Sequence, residues 1–216
     1  MNGKILVMTA VEAERNAVLR GVNGDDRFEV QLAGVGPVAA AISTTTALLS
    51  GEYRLVISSG IAGGFEGRAE IGDVVVATEI VAADLGVETP EGFSSVDELG
   101  FGTSRVQADI PEAGRVVSAL SAGGIQTSYG PIVTVNTATG TAGTAARLAA
   151  RVAGVIAEGM EGYGVAAAAQ ARGVPALEIR AISNRVGPRD RSAWRIGDAL
   201  RSLEAAFDQL TEGWQP

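Results

Sequence analysis

The 216-residue sequence contains neither cysteine nor histidine, and its only lysine is Lys4. Without cysteine there can be no disulfide framework, thiolate nucleophile or cysteine-based zinc site. Without histidine the chain lacks the most common general base and metal ligand. Any catalysis must therefore rest on carboxylates, arginines, amides, hydroxyls and backbone groups, and we expect neither a metal site nor a cofactor.

Positive charge is also scarce. Lysine and arginine number 17 against 25 aspartates and glutamates, which gives a net charge of −8, and no basic run occurs. This balance argues against a nucleic-acid partner. The apolar runs are far shorter than the ~18 residues that span a membrane, so no membrane partner is expected. The first apolar run, which meets Glu12 and Glu14 at its end, favours a first strand over a signal peptide, and we expect a cytoplasmic protein.

Strands and helices alternate along the chain. Continuous apolar strands of this kind imply helices on both faces of a largely parallel or mixed sheet. We therefore predict a single α/β domain over residues 1–216, with a polar, turn-rich loop over residues 86–102. The predicted strands are Lys4–Ala10, Phe28–Ala33, Leu55–Ser58, Asp73–Asp84, Thr127–Asn136, Val155–Ala157 and Ala176–Ser183. The predicted helices are Glu12–Arg20, Pro37–Ser50, Pro111–Ala122, Thr141–Val152, Gly162–Arg172 and a last one through Ala199–Leu210.

Ligands of such sheets bind beyond the carboxyl ends of the strands, where this chain has several polar or glycine-rich segments. Glu12 follows the first strand, where the helix would put it over the site, although a glutamate there can also simply complement the helix dipole. The glycines of Gly60–Gly64 either admit a ligand to the backbone or form a plain turn. Arg180 lies within an apolar strand, which is costly unless a buried carboxylate or an anionic ligand pairs with it.

The segment Gly34–Ala39 (GVGPVA) fits the glycine pattern of a dinucleotide-binding turn. It lies in the second strand–helix unit, however, and no acidic residue ends the next strand to hold a ribose. A tight turn is the better interpretation, and a nicotinamide-dependent oxidoreductase becomes a disfavoured alternative.

Taken together, the segments resemble the nucleoside phosphorylase/nucleosidase superfamily over nearly the whole chain. The resemblance rests on Thr9–Glu12, Gly60–Gly64, Gly72–Val76, Met160–Glu161 and Arg180–Asn184, in that order. It implies a three-layer fold with a central mixed sheet. Within the superfamily the chain most resembles the hydrolases, and more narrowly the futalosine hydrolases of menaquinone biosynthesis. The narrower resemblance rests on Asp84–Phe93, Glu98–Gly100, Asn184–Asp190 and Trp194.

The resemblance also implies roles for particular residues. Glu12 would activate the attacking water with help from Arg180, and Glu161 would bind the ribose hydroxyls with Met160 under the sugar. Ile61 lacks the side-chain donor that relatives often carry at its position. The remaining substrate-binding candidates are Ala62, Gly63, Thr134, Val135 and Asn136, the last three meeting the purine through their backbone. Homo-oligomerisation, as a dimer or a tetramer, is likewise implied.

Two features favour hydrolysis of a 6-oxopurine nucleoside. Asn184 occupies the position where adenine-specific relatives carry an aspartate. An amide can donate to the acceptors N7 and O6 of hypoxanthine, whereas a carboxylate would repel O6. The first loop carries Glu12 and Glu14, and a carboxylate would repel phosphate but can deprotonate water.

The expected reaction is hydrolysis of futalosine to hypoxanthine and dehypoxanthine futalosine, through an oxocarbenium-like ribosyl that water captures. Arg185, Arg189 and Arg191 are candidates for binding the carboxylate of the 5′ substituent. Three alternatives remain open: a methylthioadenosine/S-adenosylhomocysteine nucleosidase, a purine nucleoside phosphorylase and a purine-binding module without catalysis.

Overall fold

The computed structural model describes residues 3–90 and 92–214, so Glu91, within the Asp84–Phe93 segment, lies outside the described residues. The strands are β1 Lys4–Thr9, β2 Phe28–Leu32, β3 Tyr53–Gly64, β4 Val74–Ala82, β5 Gly86–Thr89, β6 Gly92–Ser95, β7 Arg105–Gln107, β8 Thr127–Thr134, β9 Ala157–Gly159 and β10 Ala176–Arg185. The helices are α1 Glu12–Val22, α2 Pro37–Ser50, α3 Ile110–Ala122, α4 Ala142–Arg151, α5 Gly162–Ala171 and α6 Ile196–Gly213, preceded by a 3₁₀ turn at Arg191–Ala193.

Eight of these strands form one mixed sheet in the order β10-β4-β8-β9-β3-β1-β2, with β7 paired to β4. Strand β10 also pairs with β3, so that five strands, β3, β10, β4, β8 and β9, close into a ring. Pairing is parallel between β1 and β3 and between β3 and β10. It is antiparallel between β10 and β4 and between β3 and β9.

Helices cover both faces of this sheet. On one face α1, α3 and α6 bury side chains such as Leu120 and Phe207 against the strands. On the other, α2 and α5 contribute Leu48 and Val165, and a smaller cluster forms around Leu148 of α4. The predicted class, a central mixed sheet flanked by helices, is confirmed. Within the described residues, no helix combines the length and apolar character needed to cross a membrane.

The structure differs from the sequence-based expectation at four places, one of which is β7, Arg105–Gln107, a short strand that was not predicted. The strand predicted to end at Ser58 continues through the glycines to Gly64, because β10 and β9 pair with this extension on its two sides. The short strand predicted at Val155–Ala157 lies instead at Ala157–Gly159. Within residues 86–102, expected to be a loop, β5 and β6 form a hairpin.

Candidate active site

Parallel strands bring the predicted site segments side by side. Thr9, at the end of β1, is in register with Ser59 of β3, and the next residue of β3, Gly60, is in register with Arg180 of β10. The first turns of α1 and α5 border this row, since Glu14 and Glu161 both reach Arg180 or its neighbours. The carboxyl end of β1 and the middle of β3 and β10 thus gather buried charged groups into one cluster.

Glu14, two residues beyond the predicted Glu12, is the glutamate of α1 that enters this cluster. It is only 4% exposed. Its Oε2 accepts the amides of Ala10 and Val11 at 2.9 and 3.2 Å, and its Oε1 accepts the amide of Ile61 at 2.8 Å. Glu14 occupies the third helical position, from which a glutamate side chain reaches back to the amides that precede the helix.

Glu12 does not lie over the site. Its side chain is 62% exposed and pairs with Arg15 at 3.3 Å on the outer surface of α1. The expectation that the helix would direct Glu12 inward is therefore wrong. Positions two residues apart on a helix point about 200° apart, so burying Glu14 turns Glu12 towards solvent.

Arg180 is fully buried, and carboxylates surround it, as the cost of burying an unpaired arginine requires. Its Nε donates to Oε1 of Glu178 at 2.8 Å, and Nη1 donates to Oε2 of Glu161 at 3.4 Å. Its Nη2 donates to the hydroxyl of Ser58 at 3.0 Å. A Cβ on Gly60 would lie 2.9 Å from Nη1 and would collide with the Glu14 carboxylate. A glycine is therefore needed here for Arg180 and Glu14 to approach the strand.

The charges in this cluster are unbalanced, because three carboxylates share one guanidinium. Burial raises the pKa of Glu14, and Glu161 adds to that rise, against the opposing effect of Arg180. Burial likewise raises the pKa of Glu178, whose Oε2 accepts no hydrogen bond among the described residues. Burial disfavours the charged guanidinium, but Glu178, Glu161 and Glu14 outweigh it and raise the pKa of Arg180.

Glu161 and Met160 lie where β9 passes into α5. The amide of Gly36, in the turn before α2, donates to Oε1 of Glu161 at 3.1 Å, so this carboxylate is held from two sides. Met160 is half-buried beside it. The φ angles of Gly34 and Gly36, 80° and 87°, agree with a tight turn at this segment.

The segment Thr134–Asn136 borders the same strand end. The Thr134 hydroxyl accepts the Tyr163 amide at 2.8 Å, and the Val135 amide donates to the carbonyl of Gly159 at 3.1 Å. These contacts bring Thr134 and Val135 next to Met160 and Glu161. Asn136 is exposed and is held by Asp84, which accepts its backbone amide at 2.7 Å.

Asn184 lies at the other end of the site, beside the glycines of β3. Its register partner is Gly63, and a Cβ on Gly63 would lie 3.2 Å from the Asn184 Nδ2. The Ser183 hydroxyl lies 2.8 Å from the Asn184 Oδ1 and 3.2 Å from the carbonyl of Ala62, so it can donate to either. When it donates to Oδ1, it fixes the amide, and Nδ2 then has one N–H left beyond its bond to the carbonyl of Arg185.

The three arginines considered as partners for a substrate carboxylate lie in different surroundings. Arg185 pairs with Glu66 and Glu70 at the surface. Arg189 lies 5.3 Å from the ring centre of Trp194, and Arg191 is exposed in the 3₁₀ turn. The structure does not bring any of the three into contact with the Arg180 cluster.

Reading the sequence did not name three buried glutamates as site residues: Glu14, Glu158 and Glu178. Two of them leave a signal. Glu178 and Arg180 are two residues apart in a strand, which puts them on one face. Glu14 stands three residues after the residue preceding the helix, the position of a capping glutamate. Glu158 directly follows a predicted strand, at the start of the segment 158–162, but its contact with Thr139, 19 residues away on another segment, could not be inferred from the sequence.

Comparisons with known proteins identify the family and support the fold. The family model described as "Phosphorylase superfamily" matches residues 11–213. The futalosine hydrolase of Streptomyces coelicolor is 47% identical, with 98% of each chain covered. That of Acidothermus cellulolyticus is 44% identical, covering 99% of this chain and 93% of the relative. The solved structure of the Helicobacter pylori futalosine hydrolase, 18% identical, superposes with a TM-score of 0.84 over 96% and 97% of the two chains, which supports the fold. This chain belongs to the phosphorylase superfamily.

Proposed function

We propose that this protein hydrolyses the N-glycosidic bond of futalosine, releasing hypoxanthine and dehypoxanthine futalosine in the futalosine route to menaquinone. The observation that carries the proposal is the buried Glu14 carboxylate beside Arg180, a group suited to activating water. The substrate is supported by the two relatives named futalosine hydrolase, which are 47% and 44% identical over nearly the whole chain. We propose a cytoplasmic site of action.

Glu14 takes the role of general base that the sequence had suggested for Glu12. Its Oε2 accepts two amides, whereas its Oε1 accepts one and keeps capacity for a water molecule. Because burial raises the pKa of Glu14, this carboxylate takes a proton from water more readily than an exposed glutamate would. The positive charge of Arg180 partly offsets the neighbouring carboxylates, and its hydrogen bonds hold Glu178 and Glu161 in place.

The sugar lies over the end of β9 in this proposal. Glu161 accepts the ribose 2′- and 3′-hydroxyls, and its fixed position supports this role, since the amide of Gly36 and the guanidinium of Arg180 both hold it. Met160 packs under the ribose. As the glycosidic bond lengthens, positive charge grows on the ribosyl group. Nearby carboxylates therefore stabilise the transition state more than they stabilise the bound substrate.

The purine lies between Asn184 and the segment 134–139. A free N–H on Asn184 donates to O6 or N7 of hypoxanthine and stabilises the electrons that flow into the leaving base. An adenine would instead present an N6 donor towards this amide donor. Asn184 thus favours a 6-oxopurine over the 6-aminopurine of methylthioadenosine.

Phosphorolysis is disfavoured by the same first turn. A phosphate placed beside Arg180 would meet the Glu14 and Glu161 carboxylates, which already share that guanidinium. Like charges in a poorly hydrated site repel each other strongly. Water is therefore the better co-substrate.

We also propose that the chain forms a homodimer through the outer face of α2. Val38 and Ile42 are 69% and 64% exposed, and Leu49 continues the same stripe at helical spacing. An apolar cavity of about 470 Å³ adjoins this face, and among the described residues that line it Asp84 alone is charged. Apolar helical surface of this kind is normally covered. A chain carrying Ile42→Glu should elute as a monomer in light-scattering chromatography if this proposal is right.

The reaction is tested by chromatography of futalosine, inosine and methylthioadenosine incubated with the purified protein, with and without phosphate. Hypoxanthine released from futalosine without phosphate is the expected result. Release that requires phosphate would identify a phosphorylase. Unchanged substrates together with measurable binding would identify a purine-binding module, and adenine released from methylthioadenosine alone would overturn the role given to Asn184.

A further inference from the structure

Glu158 is a buried carboxylate that the proposed reaction does not use. It lies in β9, is 8% exposed, and forms no ion pair among the described residues. Its two oxygens instead accept the backbone amide of Thr139, at 2.8 Å, and the Thr139 hydroxyl. Burial raises the pKa of Glu158 in spite of these bonds. A carboxylate kept in such surroundings without a cation calls for an explanation.

The strand register places Glu158 opposite Asn184. Both residues have Gly63 of β3 as their register partner, Glu158 from the β9 side and Asn184 from the β10 side. Side chains of register partners project from the same face of a sheet, so Glu158 and Asn184 flank Gly63 on one face. Neighbouring strands are about 4.8 Å apart, which separates the β9 and β10 backbones by roughly 10 Å. Gly63 has no side chain to fill the space between them.

The contact with Thr139 determines which hydrogen-bonding groups this edge of the site can present to a ligand. The Thr139 amide is not available as a donor, because it already donates to Glu158. An ionised carboxylate has about four acceptor positions, of which Thr139 occupies two. The β9 side of the site therefore presents an acceptor, while the β10 side presents the amide donor of Asn184.

This pair of groups matches one purine type. The six-membered edge of hypoxanthine carries the acceptor O6 and the donor N1–H, whereas that of adenine carries a donor N6 and an acceptor N1. An amide donor facing O6 or N7 together with a carboxylate facing N1–H satisfies hypoxanthine. With adenine the carboxylate would face the N1 acceptor, and two acceptors in a buried site repel each other.

We propose that Glu158, held across Gly63 from Asn184 and bonded to Thr139, is a specificity-determining residue that accepts the N1–H of a 6-oxopurine. The inference rests on the proposed function, because it assumes that a purine lies at this end of the site. It adds to the selectivity of Asn184 a second contact that reads a different atom of the base.

The main test is Glu158→Gln, which keeps the shape and an acceptor for the Thr139 amide but places an NH₂ group towards the base. The measured quantity is the ratio of kcat/KM for futalosine to kcat/KM for its 6-amino counterpart. We expect a loss of about tenfold to a hundredfold for futalosine, as is usual for an unmatched buried donor, with no matching loss for the amino compound.

Thr139→Val is the matched control, because it removes the hydroxyl bond to Glu158 but keeps the amide and the carboxylate. If Glu158 reads N1–H, this variant should affect both substrates by the same factor. If Glu158 only anchors the loop at Thr139, Glu158→Gln should also reduce both substrates equally, and that result would overturn the proposal.

Calorimetric binding of hypoxanthine, 1-methylhypoxanthine and adenine separates this inference from the proposed reaction and also works with the unmodified protein. Hypoxanthine should bind with a dissociation constant at least about tenfold lower than that of either other base, and Glu158→Gln should abolish that preference. If futalosine is not cleaved but this binding pattern holds, the proposed reaction is wrong and the proposed role of Glu158 is supported. If futalosine is cleaved and Glu158→Gln keeps the preference for hypoxanthine, only the inference on Glu158 fails.

Discussion

The two ends of the site bury carboxylates in different ways. At the guanidinium end, Glu14, Glu161 and Glu178 gather around the single positive charge of Arg180. At the amide end, Glu158 is buried, its donors among the described residues are the neutral amide and hydroxyl of Thr139, and it stands opposite the amide of Asn184. The first arrangement couples several charges in a poorly screened space, so a change in one alters the others. The second consists of local contacts, so a change there should alter recognition more than stability.

The strongest test of the guanidinium end is Glu14→Gln. Loss of general-base help typically reduces turnover by a factor of about 10²–10⁴, and the ribose and purine contacts remain. We therefore expect kcat to fall by that factor while substrate affinity, measured by calorimetry, changes little.

Glu12→Gln is the matched control, since it removes a carboxylate from the same helical turn but from the exposed side. It should leave kcat within about twofold, because an exposed ion pair contributes little. A large loss with Glu12→Gln and none with Glu14→Gln would return the role of base to Glu12.

Arg180→Met tests whether the guanidinium end is structurally coupled. It leaves three carboxylates without their shared cation, and removing one partner of a buried ion pair costs about 3–5 kcal/mol. Urea unfolding should show a decrease of this size. The contrast is Asn184→Ala at the amide end, for which we expect about 1 kcal/mol. Equal losses in the two variants would contradict the difference between the two ends.

The sequence was informative where the free-energy cost of burying a charge, or the apolar period of a helix, constrains a residue. The buried partner of Arg180 follows from the expense of an isolated charge, and it is indeed a carboxylate, Glu178. The apolar period of the last helix likewise corresponds to the buried residues of α6. The choice between Glu12 and Glu14 failed because it depends on how α1 is rotated against the sheet. Which glutamate faces the sheet depends on its position around the helix, and not on how closely it follows the end of β1.

Long-range pairing explains the other differences. Gly60–Gly64 has the composition of a turn, yet it continues β3 because strands distant in the sequence pair along it. The role proposed for Glu158 could not be inferred from the sequence for the same reason, since it depends on Gly63 pairing with both Asn184 and Glu158. The prediction of one domain over residues 1–216 stays a prediction.

At the amide end, Asn184→Asp should change selectivity rather than stability. The new carboxylate would face O6 of hypoxanthine, an acceptor, but could accept the N6 hydrogens of adenine. We expect the kcat/KM ratio of inosine to adenosine to fall by about tenfold, in line with roughly 1–3 kcal/mol for one mismatched buried group. Parallel assays of the two nucleosides check this, and an unchanged ratio would remove Asn184 from base recognition.

The smallest expected effect is the pH dependence of stability that Glu14 contributes. Burial raises its native pKa above the ordinary value of 4.5, so the native state disfavours its ionisation. The contribution is therefore fully present below about pH 4.5, the ordinary glutamate value, and is lost as the pH rises through the native pKa. Urea unfolding of the unmodified protein and of Glu14→Gln should give a stability difference that grows in favour of the variant across this range. Glu12→Gln controls for the loss of one carboxylate, and a difference of the opposite sign would show that Arg180 and the three amides hold Glu14 ionised more strongly than burial opposes it.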